Sequence, residues 1–267
     1  MTDRYAVIGN PIHHSLSPTI HAAFARQTGQ SLTYEAVLAP VDGFAGAVDA
    51  FRAQGGRGMN VTAPFKLDAF AYATDLSPAA RLAGAVNALK FSGARVHAEN
   101  FDGAGLVVDI ERNLGFSIAG ASVLVLGAGG AGRGAMPALM ARAPRDLVIF
   151  NRTHARAVEL ARIFADRGQP RAPSSLKGLT FDLVINATSP GAPFTELRDG
   201  AARGLAYDMI YGQGLTPFLS RAREVGAQRL ADGIGMLVEQ AAAAFAWWRG
   251  LTPRTTDVIA SLKRPLE

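Results

Sequence analysis

The chain has 267 residues, 49% hydrophobic and 18% charged, with a formal charge of +5 and no cysteine. That length supports one large or two modest cores, and the composition is globular, not disordered. Disulfides, thiolate metal sites and cysteine nucleophiles are excluded. The arginines are scattered, as in "ARAPRDL" and "RAREVG", with no basic run and no interleaved aromatics. A solvated basic surface, favourable to an anionic small molecule, is therefore expected and a nucleic-acid partner is not. "MTDRYAVIGN" lacks the basic and apolar blocks of a signal peptide, and no run of about 18 apolar residues offers a membrane span, so the expected location is cytoplasmic.

Taken in chain order, Tyr5–Ile8 and Tyr34–Leu38 read as strands, with helices over Ser17–Gln27 and Phe44–Gln54. In "NVTAPFKLD", Val61 and Thr62 read as the end of a strand and Pro64 as the first residue of a helix. Lys66 then falls in the first helical turn, where the macrodipole favours anions, an electrically unfavourable place for an ammonium group. Asp102 reads as the N-cap of a helix starting at Gly103, and Ser17 as a cap before Pro18.

The strand Ser122–Leu126 runs into Gly127-x-Gly129-x-x-Gly132 and a helix over Ala131–Ala141. This strand–turn–helix context gives the glycine pattern meaning as a dinucleotide loop, completed by Ala128, Gly130 and Ala131. Gly127 permits the tight turn, Gly129 the close approach of a pyrophosphate, and Gly132 the packing of helix on strand. The helix N-terminus favours the phosphate charge. After the strand Leu147–Phe150, an NAD-selective site would carry an acid for the ribose hydroxyls. Here Asn151, Arg152 and Thr153 follow, with Arg156 in the helix His154–Ala165. A guanidinium suits a 2′-phosphate, so the expected cofactor is NADP.

The strand Leu183–Ile185 places Asn186, Thr188 and Ser189 at the carboxyl edge of the sheet, where such folds bind ligands. Leu205–Tyr207 is a further strand. The last helix, Gly235–Trp248, aligns Leu237, Ala241, Ala244, Phe245 and Trp248 on one stripe, long and apolar enough to pack back on the first domain. Gln240 lies on that stripe, where an unpartnered amide is costly. Alternation of strand and helix implies an α/β protein with parallel sheets and crossover helices. The spacing of His13, His14 and His21, without acidic companions, makes no metal site.

Together, "VIGNPIHHSLSPTIH", "GGRGMNVTAPFK", "AGAVNAL", "ENFDGAG", "GAGGAGR", "NRT", "INATSPG", "YDMIYGQGLTPF" and "ADGIGMLVEQAAAAF" resemble, in order and spacing, the shikimate dehydrogenase family. The resemblance implies NADP-dependent interconversion of 3-dehydroshikimate and shikimate by a monomer or homodimer with small-molecule partners only. It implies a substrate domain over 1–103, a Rossmann-like NADP domain over 104–234, and C-terminal helices, 235–267, packing back on the first. Lys66 and Asp102 become the catalytic pair. Ser15, Ser17, Asn60, Thr62, Asn87, Tyr211 and Gln240 become substrate contacts, and Met209 and Gly233 join the cofactor residues. Hydride transfer to or from a secondary alcohol needs a group that exchanges the hydroxyl proton, which independently suits a lysine beside a carboxylate.

Three positions depart from the family pattern: Glu99 stands where it has aspartate, Phe101 and Ala88 where it has threonine. Two hydroxyls near the expected ring are missing, and such losses weaken discrimination in a site built to hydrogen-bond. Phe101 either narrows the pocket or turns into the core behind Asp102, and alternation in an extended segment favours the second. Alternatives are a family member acting on quinate or another cyclic hydroxy acid, and a non-catalytic NADP-binding regulatory module.

Overall fold

A computed structural model describes residues 2–188, 194, 197–198 and 201–266. It divides into two compact units, Met1–Gly105 with Val238–Val258 and Leu106–Leu237 with Ile259–Glu267.

The first unit holds β1 (Asp3–Gly9), α1 (Ser17–Thr28), β2 (Leu32–Leu38), α2 (Phe44–Ala53), β3 (Gly56–Val61), α3 (Lys66–Tyr72), β4 (Asp75–Leu76), α4 (Pro78–Ala83), β5 (Ala88–Ser92), β6 (Arg95–Glu99) and the start of α5 (Asp102–Val108). Its six-stranded sheet has the order β2-β1-β3-β5-β6-β4. β1 runs parallel to β2 and β3, and β4 parallel to β6, while β5 is antiparallel to both neighbours. The reversal is a tight β5–β6 hairpin that turns at Gly93, whose φ of 59° only glycine adopts without strain. Ile8, Met59, Val61, Phe65 and Leu89 share one core with Phe44, Val48 and Phe51 of α2.

The second unit contains a π-helical turn over Asp109–Asn113, then β7 (Ser122–Leu126), α6 (Gly130–Met140), β8 (Asp146–Phe150), α7 (His154–Ile163), β9 (Phe181–Asn186), β10 (Ala202–Asp208), α8 (Pro217–Glu224) and β11 (Arg229–Ala231); of the last two helices, α9 (Ile234–Arg249) passes to the first unit at Val238 and α10 (Thr256–Leu262) returns to the second at Ile259. Its five strands are all parallel, ordered β11-β10-β9-β7-β8. The uninterrupted apolar run of β7 is what a strand covered on both faces requires, and every residue of it is buried. Residues 259–267 group with this unit, unlike the reading that returned all of 235–267 to the first. The reason is Leu266, which packs against the core built around Leu124, Val184 and Phe218.

The part of α9 in the first unit is bound by its aromatic end. Trp248 stacks on Tyr5 with ring centroids 4.7 Å apart, and its indole N–H donates to the Leu89 carbonyl at 3.0 Å. Arg249 forms an ion pair with Asp3. Gly58 makes this docking possible, because a methyl group there would lie 2.6 Å from Trp248 Nε1 and 2.7 Å from the Leu89 oxygen. Gly58→Ala should therefore destabilise the protein by ~1–3 kcal/mol, the usual cost of overpacking. A lower urea midpoint with an unchanged slope is the expected result, and an unchanged midpoint would show that the helix end yields freely.

Candidate functional site

The first candidate site is built around Lys66. The Phe65 amide donates to the Thr62 carbonyl at 3.0 Å, closing a turn after β3. That turn takes up Pro64, so α3 starts at Lys66 and not, as the sequence suggested, at the proline. Phe65, fully buried in the core, pins the helix start and so the base of the Lys66 side chain. Lys66 Nζ lies 2.5 Å from Asp102 Oδ2, with side-chain exposures of 24% and 9%.

Asp102 is the first residue of α5 and not a cap preceding it; its own amide donates to Asn100 Oδ1 at 3.1 Å. Its second oxygen accepts from Asn87 Nδ2 at 2.9 Å, and Asn87 Oδ1 in turn accepts from the Phe101 amide at 2.8 Å. The same Asn87 Nδ2 reaches Gln240 Oε1 at 3.3 Å, which gives the buried amide on α9 a partner. Asn60 completes the set: its Nδ2 donates to the Asn87 carbonyl at 3.3 Å, and its Oδ1 accepts from the Tyr34 hydroxyl at 2.7 Å. Burial holds the Tyr34 phenol well above its ordinary range, opposed by the Ser17 hydroxyl, so it stays a donor. Tyr34 was read only as a strand residue, and nothing in its spacing signalled this bond.

Ser17 is the first residue of α1, with Leu16 in the cap position, so it does not cap the helix. Ser15 Oγ accepts from the Ser17 amide at 3.3 Å. Thr62 continues from β3, its amide bonded to the Ile8 carbonyl at 3.0 Å. The three departures are engaged with other partners. Glu99 accepts from the Ser77 hydroxyl at 2.5 Å and the Asn100 amide at 2.8 Å. Ala88 is fully buried beside Tyr5, Ala244 and Trp248, and Phe101 meets Trp247 edge-on at 5.9 Å. An amine or ammonium against an oriented carboxylate, beside three amide side chains, can exchange a proton with a polyhydroxylated molecule.

The second unit carries the glycine loop. Gly127 has φ +106°, and a methyl group on Gly132 would lie 2.2 Å from the Gly127 carbonyl, so both glycines are structurally required. Gly129 and Gly130 face open space, leaving the backbone at the start of α6 free to receive a phosphate. The Ala128 amide donates to Asn151 Oδ1 at 3.1 Å, tying the loop to the end of β8. Arg152, Thr153 and Arg156 are exposed there. These features fit a dinucleotide phosphate, with the arginines placed for a second one. Asn186 is fully buried; it donates to Asp208 at 2.9 Å and accepts from the Thr188 hydroxyl at 2.7 Å, so it shapes the edge by supporting Thr188. Ser189 lies outside the described residues. The Met209 amide donates to the Asn186 carbonyl at 3.0 Å, and a methyl group on Gly233 would come within 2.5 Å of the Met209 oxygen. Tyr211 follows in the same loop, its phenol pushed up by burial.

Three segments match family models: residues 7–89 the shikimate dehydrogenase substrate binding domain, 110–199 shikimate / quinate 5-dehydrogenase, and 233–263 the shikimate 5′-dehydrogenase C-terminal domain. The NADP(+) shikimate dehydrogenase of Nitrosospira multiformis is 53% identical over 272 residues, covering 100% of this chain and 99% of the relative. The chain belongs to the shikimate dehydrogenase family. The same enzyme of Dechloromonas aromatica is 54% identical, with 100% and 99% covered. Among solved structures, an Ael1 enzyme from Pseudomonas putida aligns with a TM-score of 0.91 at 52% identity, covering 100% of both chains. Shikimate 5-dehydrogenase of Thermus thermophilus, in complex with NADP(H) and shikimate, gives 0.87 at 32% identity over 98% of each chain.

One buried group beneath the first site makes its own prediction for this member of the family. His21 is stacked on Tyr34 at 4.1 Å and edged by Phe24. Among the described residues neither ring nitrogen has a hydrogen-bond partner. Burial lowers its pKa from 6.5 to about 3, against the opposing effect of the nearby Asn60 amide. The unfolded chain takes up a proton below its pKa of 6.5 that the folded chain refuses until about 3, so stability rises with pH through that window. One such proton is worth at most about 1.4 kcal/mol per pH unit. His21→Phe should flatten the stability profile there, measured by urea unfolding at several pH values; parallel profiles would mean that His21 titrates normally.

Proposed function

We propose that this chain interconverts 3-dehydroshikimate and shikimate by reversible hydride transfer with NADP, and that Lys66 and Asp102 handle the proton. The observation that carries the reading is the Lys66–Asp102 contact at 2.5 Å, set among Asn60, Asn87 and Gln240, in a chain matched along its length by NADP(+) shikimate dehydrogenases. Bound NADP supplies the hydride in reduction and takes it in oxidation.

Lys66 exchanges the proton of the reacting oxygen, as acid in reduction and base in oxidation. Asp102, fixed by Asn87, orients the lysine and accepts from a ring hydroxyl. Asn60, Thr62, Asn87, Gln240 and Tyr211 hydrogen-bond the ring, and Ser15 and Ser17 hold the carboxylate. In this reading 1–103 binds substrate and 104–234 binds NADP. Gly127–Gly132, Asn151, Arg152, Thr153, Arg156, Thr188, Met209 and Gly233 form the cofactor surface, supported by Asn186. The enzyme works in the cytoplasm as a monomer or homodimer, with small molecules as its partners.

Lys66→Met should lower kcat for shikimate oxidation by ~10²–10⁴, the usual worth of a positioned acid–base group, with a smaller change in KM. Following NADPH formation by its near-ultraviolet absorbance across pH checks this, and retained turnover with an unchanged pH profile would remove Lys66 from the role. Phe101→Thr should behave differently. It gives up packing against Trp247 and costs about 1–2 kcal/mol of stability, while the KM for shikimate stays nearly constant. A large fall in KM would place position 101 against the ring.

A further inference from the structure

We propose that Arg133 contacts the 2′-phosphate of the cofactor directly and is a determinant of NADP over NAD, alongside the Arg152 and Arg156 read from sequence. The inference rests on the cofactor reading above. Arg133 stands in the first turn of α6, its amide donating to the Gly129 carbonyl at 2.9 Å. Its side chain lines a hollow of about 190 Å³ with Ala128, Arg156, Glu159, Leu160 and Ile163. That hollow joins the phosphate loop, through Ala128, to the helix after "NRT", through Arg156. A phosphate on the ribose of a dinucleotide lying over Gly129 would occupy the same place.

The charge pattern points the same way. Among the described residues Arg133 Nε is buried without a hydrogen-bond partner. Among the described residues Arg133, Arg152 and Arg156 form no ion pair; Arg162, Arg167 and Arg223 of the same unit form none either, so it is the shared hollow that singles out Arg133 and Arg156. The guanidinium that lines the hollow meets an anion with several acceptor oxygens through its more accessible N–H groups, and charge-assisted bonds of that kind are strong. Glu159, which shares the hollow, pairs with neither arginine, so both remain available to an anion from outside. A phosphate monoester is the anion that two guanidinium forks match.

The test is calorimetric titration with adenosine 2′,5′-bisphosphate and with 5′-AMP, which differ only in the 2′-phosphate. Wild type should bind the bisphosphate more tightly. R133M should lose roughly ten- to hundredfold in bisphosphate affinity, as expected for a charge-assisted hydrogen bond, and little for 5′-AMP. R133K, keeping charge without the fork, should lose less. Ligand-free unfolding curves verify the fold, and if R133M does not fold, R133K decides by a loss confined to the bisphosphate. Equal losses for both ligands would move Arg133 to a part they share and overturn the proposal. Unchanged bisphosphate binding by R133M, with wild type still discriminating, would overturn it alone. Failure of wild type to discriminate would instead remove the NADP reading beneath it.

Discussion

The polar groups at the heart of the first unit are arranged around one carboxylate, that of Asp102, kept almost out of water. Its oxygens are divided between an ammonium group at 2.5 Å and an amide at 2.9 Å. Such a pair contributes little net stability, because desolvating both ions offsets most of their attraction. It survives as an arrangement because each partner is fixed by something apolar. The buried ring of Phe65 sets the start of α3, and the β5–β6 hairpin carries Asn87 and Asp102 to the same end of the sheet. Removing either ion would strand the other, which makes the site intolerant of substitution without making it a source of stability.

The amides around the pair extend this logic. Asn87 uses its oxygen on the Phe101 amide and its nitrogen on Asp102 and Gln240, so its side chain has one orientation. Asn60 is turned likewise by the Tyr34 hydroxyl. A satisfied polar network in a low-dielectric setting is rigid, and its groups meet a ligand without first reorganising. The departures at 88, 99 and 101 leave this network whole. Glu99 binds Ser77 and Asn100, while Phe101 and Ala88 belong to the aromatic layer under α9.

Sequence alone was enough for much of this. The buried run "SVLVL", the spacing of Gly127, Gly129 and Gly132, and the stripe along α9 each follow from local periodicity or local turn geometry, and each lies where expected. The turn of Phe101 toward Trp247 followed from alternation in an extended segment. What escaped depends on partners distant in the chain. Pro64 looked like a helix start because proline suits that position, but the Thr62–Phe65 bond claims it for a turn. Tyr34 and Asn60 are joined across strands separated by α2, which no window of sequence contains. The hairpin at Gly93 did carry a local signal, a glycine between two short alternating runs. Arg133 was hidden by its motif, since a residue after the third glycine reads as ordinary helix until its lack of an acidic partner is seen.

The two units solve opposite electrostatic problems with the same materials. In the first, opposite charges are brought together and buried, so the site is neutral overall and recognition rests on hydrogen bonds. In the second, like charges are left unpaired: open glycine backbone at the start of α6 and three arginines without carboxylate partners among the described residues. Arg133 and Arg156, which line one hollow, destabilise the unliganded fold by mutual repulsion, and a bound polyanion relieves that repulsion as well as forming its own bonds. The stability of the second unit should therefore respond to phosphate-bearing ligands and to ionic strength, whereas the Lys66–Asp102 pair, partly buried and in direct contact, responds less to salt. The sheet supplies the rigid edge in both cases. What differs is whether the charge that completes the site comes from the chain itself or from the molecule it binds.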